Sequence, residues 1–128
     1  MAKSQLRHIA ISVPNKDTAA KFYEETFGLE RVSESRVATR LTDGIMNLTL
    51  LQFETHEDAG DNRGKDFIGL HHFGFWVDDA EASIADVEQH GGEYHPGPKE
   101  TKNAEVKFCD PNGIIFDIST RGWDGAKR

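Results

Sequence analysis

Apolar and polar positions alternate through residues 5 to 13, around LRHIAISV, and again through residues 70 to 77, LHHFGFWV. A period of two is the signature of a strand whose successive side chains point to opposite faces. In the first run Ile9, Ile11 and Val13 share one face, and His8, Ala10 and Ser12 share the other. In the second, Phe73, Phe75 and Val77 stand opposite His72, Gly74 and Trp76. The aliphatic face of each strand should meet a helix. His8 and His72 therefore belong to the opposite face, whereas His71 falls with the helix-facing set or frays at the strand start.

Helical spacing follows each run. Pro14 and Asn15 open the first helix, with Asn15 as its cap and Asp17 placed favourably in the first turn. Ala19, Phe22, Tyr23, Thr26 and Phe27 fall on one face to cover a sheet, and Gly28 is the stop. The second helix spans about residues 79 to 90, with Asp78 and Glu81 at capping-box spacing and Gly91-Gly92 as its end. Strand patterning covers 30 to 41 and 45 to 53 around a turn at Asp43-Gly44. It returns at 105 to 109 (EVKFC) and 114 to 119 (IIFDIS), around a type I turn at Asp110-Pro111-Asn112-Gly113. The chain thus reads as one β-α-β-β-β unit written twice, over residues 5–53 and 69–120. Residues 54–68, charged and without periodicity, form the linker, and residues 121–128 a tail that Trp123 anchors on this chain or on a partner subunit. Two such units are too few for a solenoid, so they are expected to pair face to face in a single α+β domain spanning 1–128.

Charge narrows the function classes. A net charge of −7 and a pI near 5.3 argue against nucleic-acid or anionic-membrane partners, which need clustered cations. No apolar run reaches the length of a membrane span, and the polar N-terminus lacks the apolar core of a secretory signal. The single cysteine, Cys109, excludes an internal disulfide and suits a reducing cytoplasm.

Candidate chemistry lies on the histidine-bearing face. In the last strand Ile114, Phe116 and Ile118 are helix-facing, which leaves Ile115, Asp117 and Ser119 on the side of His8 and His72. An ionised carboxylate in so apolar a strand needs a cation or several donors. A divalent metal held by two imidazoles supplies one; Lys107, Arg121 or a backbone amide supplies the plainer alternative. Trp76 and Phe53 are candidate pocket walls. His95, in EYHPGP, is a candidate acid-base group on a loop able to close over a pocket, or simply a solvated histidine.

Paired β-α-β-β-β units, each opening on a strand histidine in LRHIAISV and HHFGFWVDD, with an acid in DPNGIIFDIS, resemble the vicinal oxygen chelate superfamily over residues 5 to 120. This group includes glyoxalase I, methylmalonyl-CoA epimerase, extradiol dioxygenases and bleomycin resistance proteins. The resemblance implies a half-open, mostly antiparallel barrel, a homodimer, and metal ligands at His8, His72 and Asp117. The fourth-ligand position of some members falls on Thr49, a pocket wall rather than a donor, or on Asn47 after a two-residue slip. Two histidines and one carboxylate match the donor set of non-haem Fe(II) oxygenases. The donor count therefore tilts the expectation toward an extradiol-type dioxygenase on a small substrate with adjacent oxygens. A glyoxalase- or epimerase-type lyase or isomerase and a non-catalytic small-molecule binding protein are the alternatives. Fe2+ or Mn2+ is the favoured ion, with Zn2+ and Ni2+ also accepted by these donors.

Overall fold

In the computed structural model, which describes residues 3–96 and 105–128, the expected repeat is present. The first unit comprises β1 (Gln5–Ser12), α1 (Lys16–Phe27), β2 (Glu30–Glu34), β3 (Ala38–Thr42) and β4 (Asn47–Leu51). A short helical turn, α2 (His56–Ala59), lies in the connection. The second unit comprises β5 (Gly69–Trp76), α3 (Ala80–Gln89), β6 (Glu93–Tyr94), β7 (Val106–Cys109) and β8 (Ile115–Ser119). The loop that begins at His95 passes outside the described residues after position 96.

The strands of the described residues join one mixed sheet in the order β2-β3-β4-β1-β5-β8-β7-β6, which is not closed. The β1·β4 and β5·β8 pairs are parallel and the other five antiparallel. The face-to-face pairing expected of the two units is corrected here. They meet edge to edge, through β1 and β5, because two central strands with free edges hydrogen-bond into one continuous sheet.

Strand alternation sorts the core as expected. Ile11, Val13 and Leu48 pack with Leu41, Leu50 and Ala20 beneath α1, while Phe116, Ile118, Phe108 and Val77 pack with Ile84 and Val87 of α3. Each fully buried Leu or Phe contributes roughly 1.5–3 kcal/mol. The opposite face is left for His8, Ala10 and Ser12, all buried.

Several local expectations shift. The run 30–41 divides into β2 and β3, whose bend is closed by Ser35 N–H donating to the Ala38 carbonyl at 2.8 Å. Asn15 caps α1 by accepting from Thr18 N–H at 2.8 Å, and Gly28 ends it at φ +72°. The cap of α3 is Asp79, which accepts from Ala82 N–H at 3.0 Å, rather than Asp78. The buried stripe of α1 is centred on Ala20 and Tyr23, so Phe22 and Phe27 are 56% and 68% exposed. Among the described residues no helix is long and apolar enough to cross a membrane.

Candidate metal centre

His8, His72 and Asp117 come from three adjacent central strands and converge on one point. The Nε2 atoms of His8 and His72 are 3.1 Å apart, and Asp117 Oδ2 lies 3.1 Å from His72 Nε2 and 3.7 Å from His8 Nε2. All three residues are buried, Asp117 completely. Sheet register explains the meeting: His8 pairs with Gly74, His72 with Ala10, and Gly74 in turn with Asp117.

The surrounding hydrogen bonds fix where the ring protons sit. Asn47 Nδ2 donates to the Asp124 carbonyl at 2.9 Å, which aims Asn47 Oδ1 at His8. An amide oxygen only accepts, so His8 Nδ1–H donates to it at 2.6 Å, and Thr49 Oγ1–H donates to the same oxygen at 2.7 Å. His71 Nε2–H donates to the Ala59 carbonyl at 2.8 Å, leaving His71 Nδ1 to accept from His72 Nδ1–H at 2.8 Å. Both facing Nε2 atoms of the neutral rings therefore carry lone pairs. Burial and then the neighbouring His72 ring push the His8 imidazole down to about 3; burial likewise lowers His72.

Asp117 completes the set. Burial pushes its carboxyl up, while the Lys107 ammonium beside it pulls it down. Lys107 Nζ donates to Oδ1 at 2.5 Å, whereas the buried Oδ2 has no hydrogen-bond partner. At 3.1 Å from a proton-free His72 Nε2, this oxygen adds a further lone pair to two that already face each other. Ligands about 2.1 Å from one ion and roughly 90–110° apart stand about 3.0–3.4 Å from each other. The residues present thus fit a divalent cation, which would satisfy all three atoms at once.

The same point opens into a cavity of about 370 Å³ whose walls include Arg40, Thr49, Phe53, Glu105, Lys107 and Trp123. Trp123 lies over His8 with ring centroids 4.6 Å apart and planes 4° from parallel, and its Nε1–H donates to Glu105 at 2.6 Å. Gly74 makes this stack possible, since a Cβ there would come within 2.7 Å of the indole. Burial, then the Asp117 charge, pushes the Glu105 carboxyl up to about 7.

The model of the Glyoxalase/Bleomycin resistance protein/Dioxygenase superfamily matches residues 5–118. The chain belongs to that superfamily. Among solved structures it is similar to Streptomyces coelicolor methylmalonyl-CoA epimerase in complex with 2-nitronate-propionyl-CoA. That match has a TM-score of 0.72 and 22% identity, covering 91% of this chain and 96% of the epimerase. A hypothetical protein from Bacillus halodurans gives a TM-score of 0.75 at 19% identity, with 91% of this chain and 94% of that one covered. The Mn(II)-bound glyoxalase from Novosphingobium aromaticivorans gives 0.69 at 21% identity. There 98% of this chain is covered but only 42% of the glyoxalase. At these identities the likeness is one of fold. No curated protein sequence matches.

Within this superfamily fold, Thr49 lines the cavity, and Asn47 orients His8 instead of facing the donors. Two residues named from sequence stand elsewhere. Trp76 lies at the far end of β5, donates to the Thr120 carbonyl at 3.1 Å, and is no part of the cavity wall. His95 Nε2–H donates to the Gly60 carbonyl at 2.9 Å, tying α2 to the edge of the sheet, and does not line the cavity either. His71, expected either with the helix-facing set or frayed at the strand start, is instead a bulge residue on the same face as His72, because the register shifts between Ala10 and Ile11. Arg63 pins that bulge by donating to the Leu70 and His71 carbonyls, each at 2.8 Å. Glu105 and Trp123 are site residues that the sequence reading missed. Glu105 was within reach of strand parity, because Val106 and Phe108 are helix-facing.

Proposed function

We propose that this chain is a divalent-metal-dependent enzyme that moves a proton at a carbon next to a carbonyl, in a small substrate with adjacent oxygens. This is the lyase or isomerase branch of the superfamily rather than the dioxygenase toward which the donor count alone tilts. The observation that carries the reading is Glu105, a half-buried carboxyl pushed up to about 7 that lines the same cavity as His8 and His72. A base poised near the working pH is what proton abstraction needs.

His8, His72 and Asp117 would hold the ion, with Asn47 and His71 setting the ring tautomers. A bound divalent cation supplies electrostatic stabilisation of an oxyanion that develops beside it. Glu105 would take the proton, its carboxyl held in place by the Trp123 indole. Phe53, Leu51 and Trp123 belong to the apolar part of the wall, which would exclude water. The epimerase and glyoxalase neighbours support this branch through fold alone.

Solvent exchange tests the reading. Metal-loaded protein in D2O should incorporate deuterium next to the carbonyl of small α-hydroxyketones, 2-oxoaldehyde adducts or acyl thioesters, and Glu105→Gln should abolish the exchange. Oxygen uptake on catechols without any such exchange would return the assignment to the dioxygenase. Stoichiometric ligand capture without either would mark a binding protein.

A further inference from the structure

The duplicated sheet places a second cation in the cavity, with no carboxylate at the cross-strand position opposite it. In the second unit Lys107 on β7 pairs across with Asp117 on β8, and in the first unit Arg40 on β3 pairs across with Thr49 on β4. Arg40 is therefore the repeat counterpart of Lys107, and Thr49 that of Asp117. Lys107 spends its charge on Asp117; Thr49 has none to offer.

The half-buried Arg40 lines the cavity, and its one hydrogen bond among the described residues is Nη1–H to Ser33 Oγ at 3.3 Å. Ser33 Oγ–H in turn donates to Asp124 Oδ2 at 2.7 Å. Among the described residues Arg40 makes no ion pair. Arg36, at the rim, is by contrast taken by Glu54 at 2.6 Å and Asp58 at 3.6 Å. Glu105 feels the Arg40 charge, which lowers it, but burial and Asp117 prevail. A guanidinium presents five N–H donors in a planar fork that matches a carboxylate bidentately. Four of those donors have no acceptor among the described residues.

We propose that Arg40 recognises a carboxylate of the substrate, seated apart from the adjacent oxygens that face His8, His72 and Asp117. The substrate class is then a small carboxylic acid whose acid group lies at the β3 side of the cavity. This deepens the proton-transfer reading and rests on it for the second anchor point, although the carboxylate contact itself needs no metal.

Calorimetric titration of succinate and of uncharged succinamide tests this, on wild type, Arg40→Gln and Arg40→Lys, each stripped with chelator and each loaded with Mn(II). Wild type should bind succinate in preference to succinamide in both metal states. Arg40→Gln should weaken succinate by about tenfold to a hundredfold, the worth of a charge-assisted contact. Arg40→Lys keeps the charge, loses the fork and should fall between. Thermal melts check that the variants are folded. The Arg40 Nε–H resonance of the wild type, expected to move on adding succinate, keeps the test open if they are not. Equal succinate affinity in all three proteins, no succinate binding to wild type, binding that requires Mn(II), or an unmoved Arg40 resonance overturns the proposal. Arg40-dependent binding by a protein that takes up no Mn(II) upholds it and sinks the metal reading instead.

Discussion

Asp117→Asn probes the centre through the pair it makes with Lys107. Asp117 is completely buried and the Lys107 side chain is 10% exposed, with Nζ 2.5 Å from Oδ1. Removing one partner of such a pair strands the other's charge in a site with little water, which costs about 3–5 kcal/mol. For a domain of this size roughly 3–5 °C of Tm follow each kcal/mol, so Tm should drop by about 10–20 °C. Lys107→Met added to Asp117→Asn removes the stranded charge and should recover stability to within about 1–2 kcal/mol of wild type. Urea melts at pH 7 in chelator, so that bound metal plays no part, give all four corners of the cycle. Costs that simply add, with the double variant the least stable of the four, would refute the pairing and with it the geometry assigned to Asp117.

Other consequences follow from single contacts. Gly74→Ala drives a methyl to 2.7 Å from the Trp123 ring and 3.1 Å from His8 Cβ. It should cost about 1–3 kcal/mol and red-shift tryptophan emission, so unchanged stability and emission would contradict the stack. Glu105 keeps its proton up to about 7 in the folded chain and releases it near 4.5 when unfolded. Its contribution to stability is therefore fully present below about 4.5 and is lost as pH rises through 7. Glu105→Gln should flatten that part of a stability–pH curve measured by urea melts; equal slopes would remove Glu105 from the account. His8, lowered from 6.5 to about 3, releases in the native state a proton the unfolded chain still binds. Metal-free protein should thus lose stability as pH falls from 6.5 toward 3, and the His8 ring resonance should not titrate between pH 5 and 8. A midpoint near 6.5 would mean that the ring is solvated.

Much of the centre was legible because strand parity is a local property. Counting by twos along three strands puts His8, His72 and Asp117 on one face, and register then brings them together. The same count along 105–109 would have placed Glu105 beside Lys107, yet without the fold nothing told that its surroundings were dry. His71 escapes the count because a bulge, set by the pairing of β5 with β1, breaks the alternation at that residue. Trp123 was out of reach for a different reason. Its place over His8 depends on a tail crossing the sheet, held by Asn47 Nδ2 to the Asp124 carbonyl and by Lys127 N–H to the Ile45 carbonyl. The rotation of α1 that exposes Phe22 and Phe27 turns on which ridge of the helix docks, and apolar spacing alone fits both settings.

Elemental analysis of tag-free protein, as purified and after loading with Mn(II) and gel filtration, addresses the converging lone pairs most directly. The predicted result is about one divalent ion per chain, lost in His72→Ala under conditions where circular dichroism shows the fold retained. Wild type that holds no ion after loading, or His72→Ala that holds as much as wild type, would contradict it.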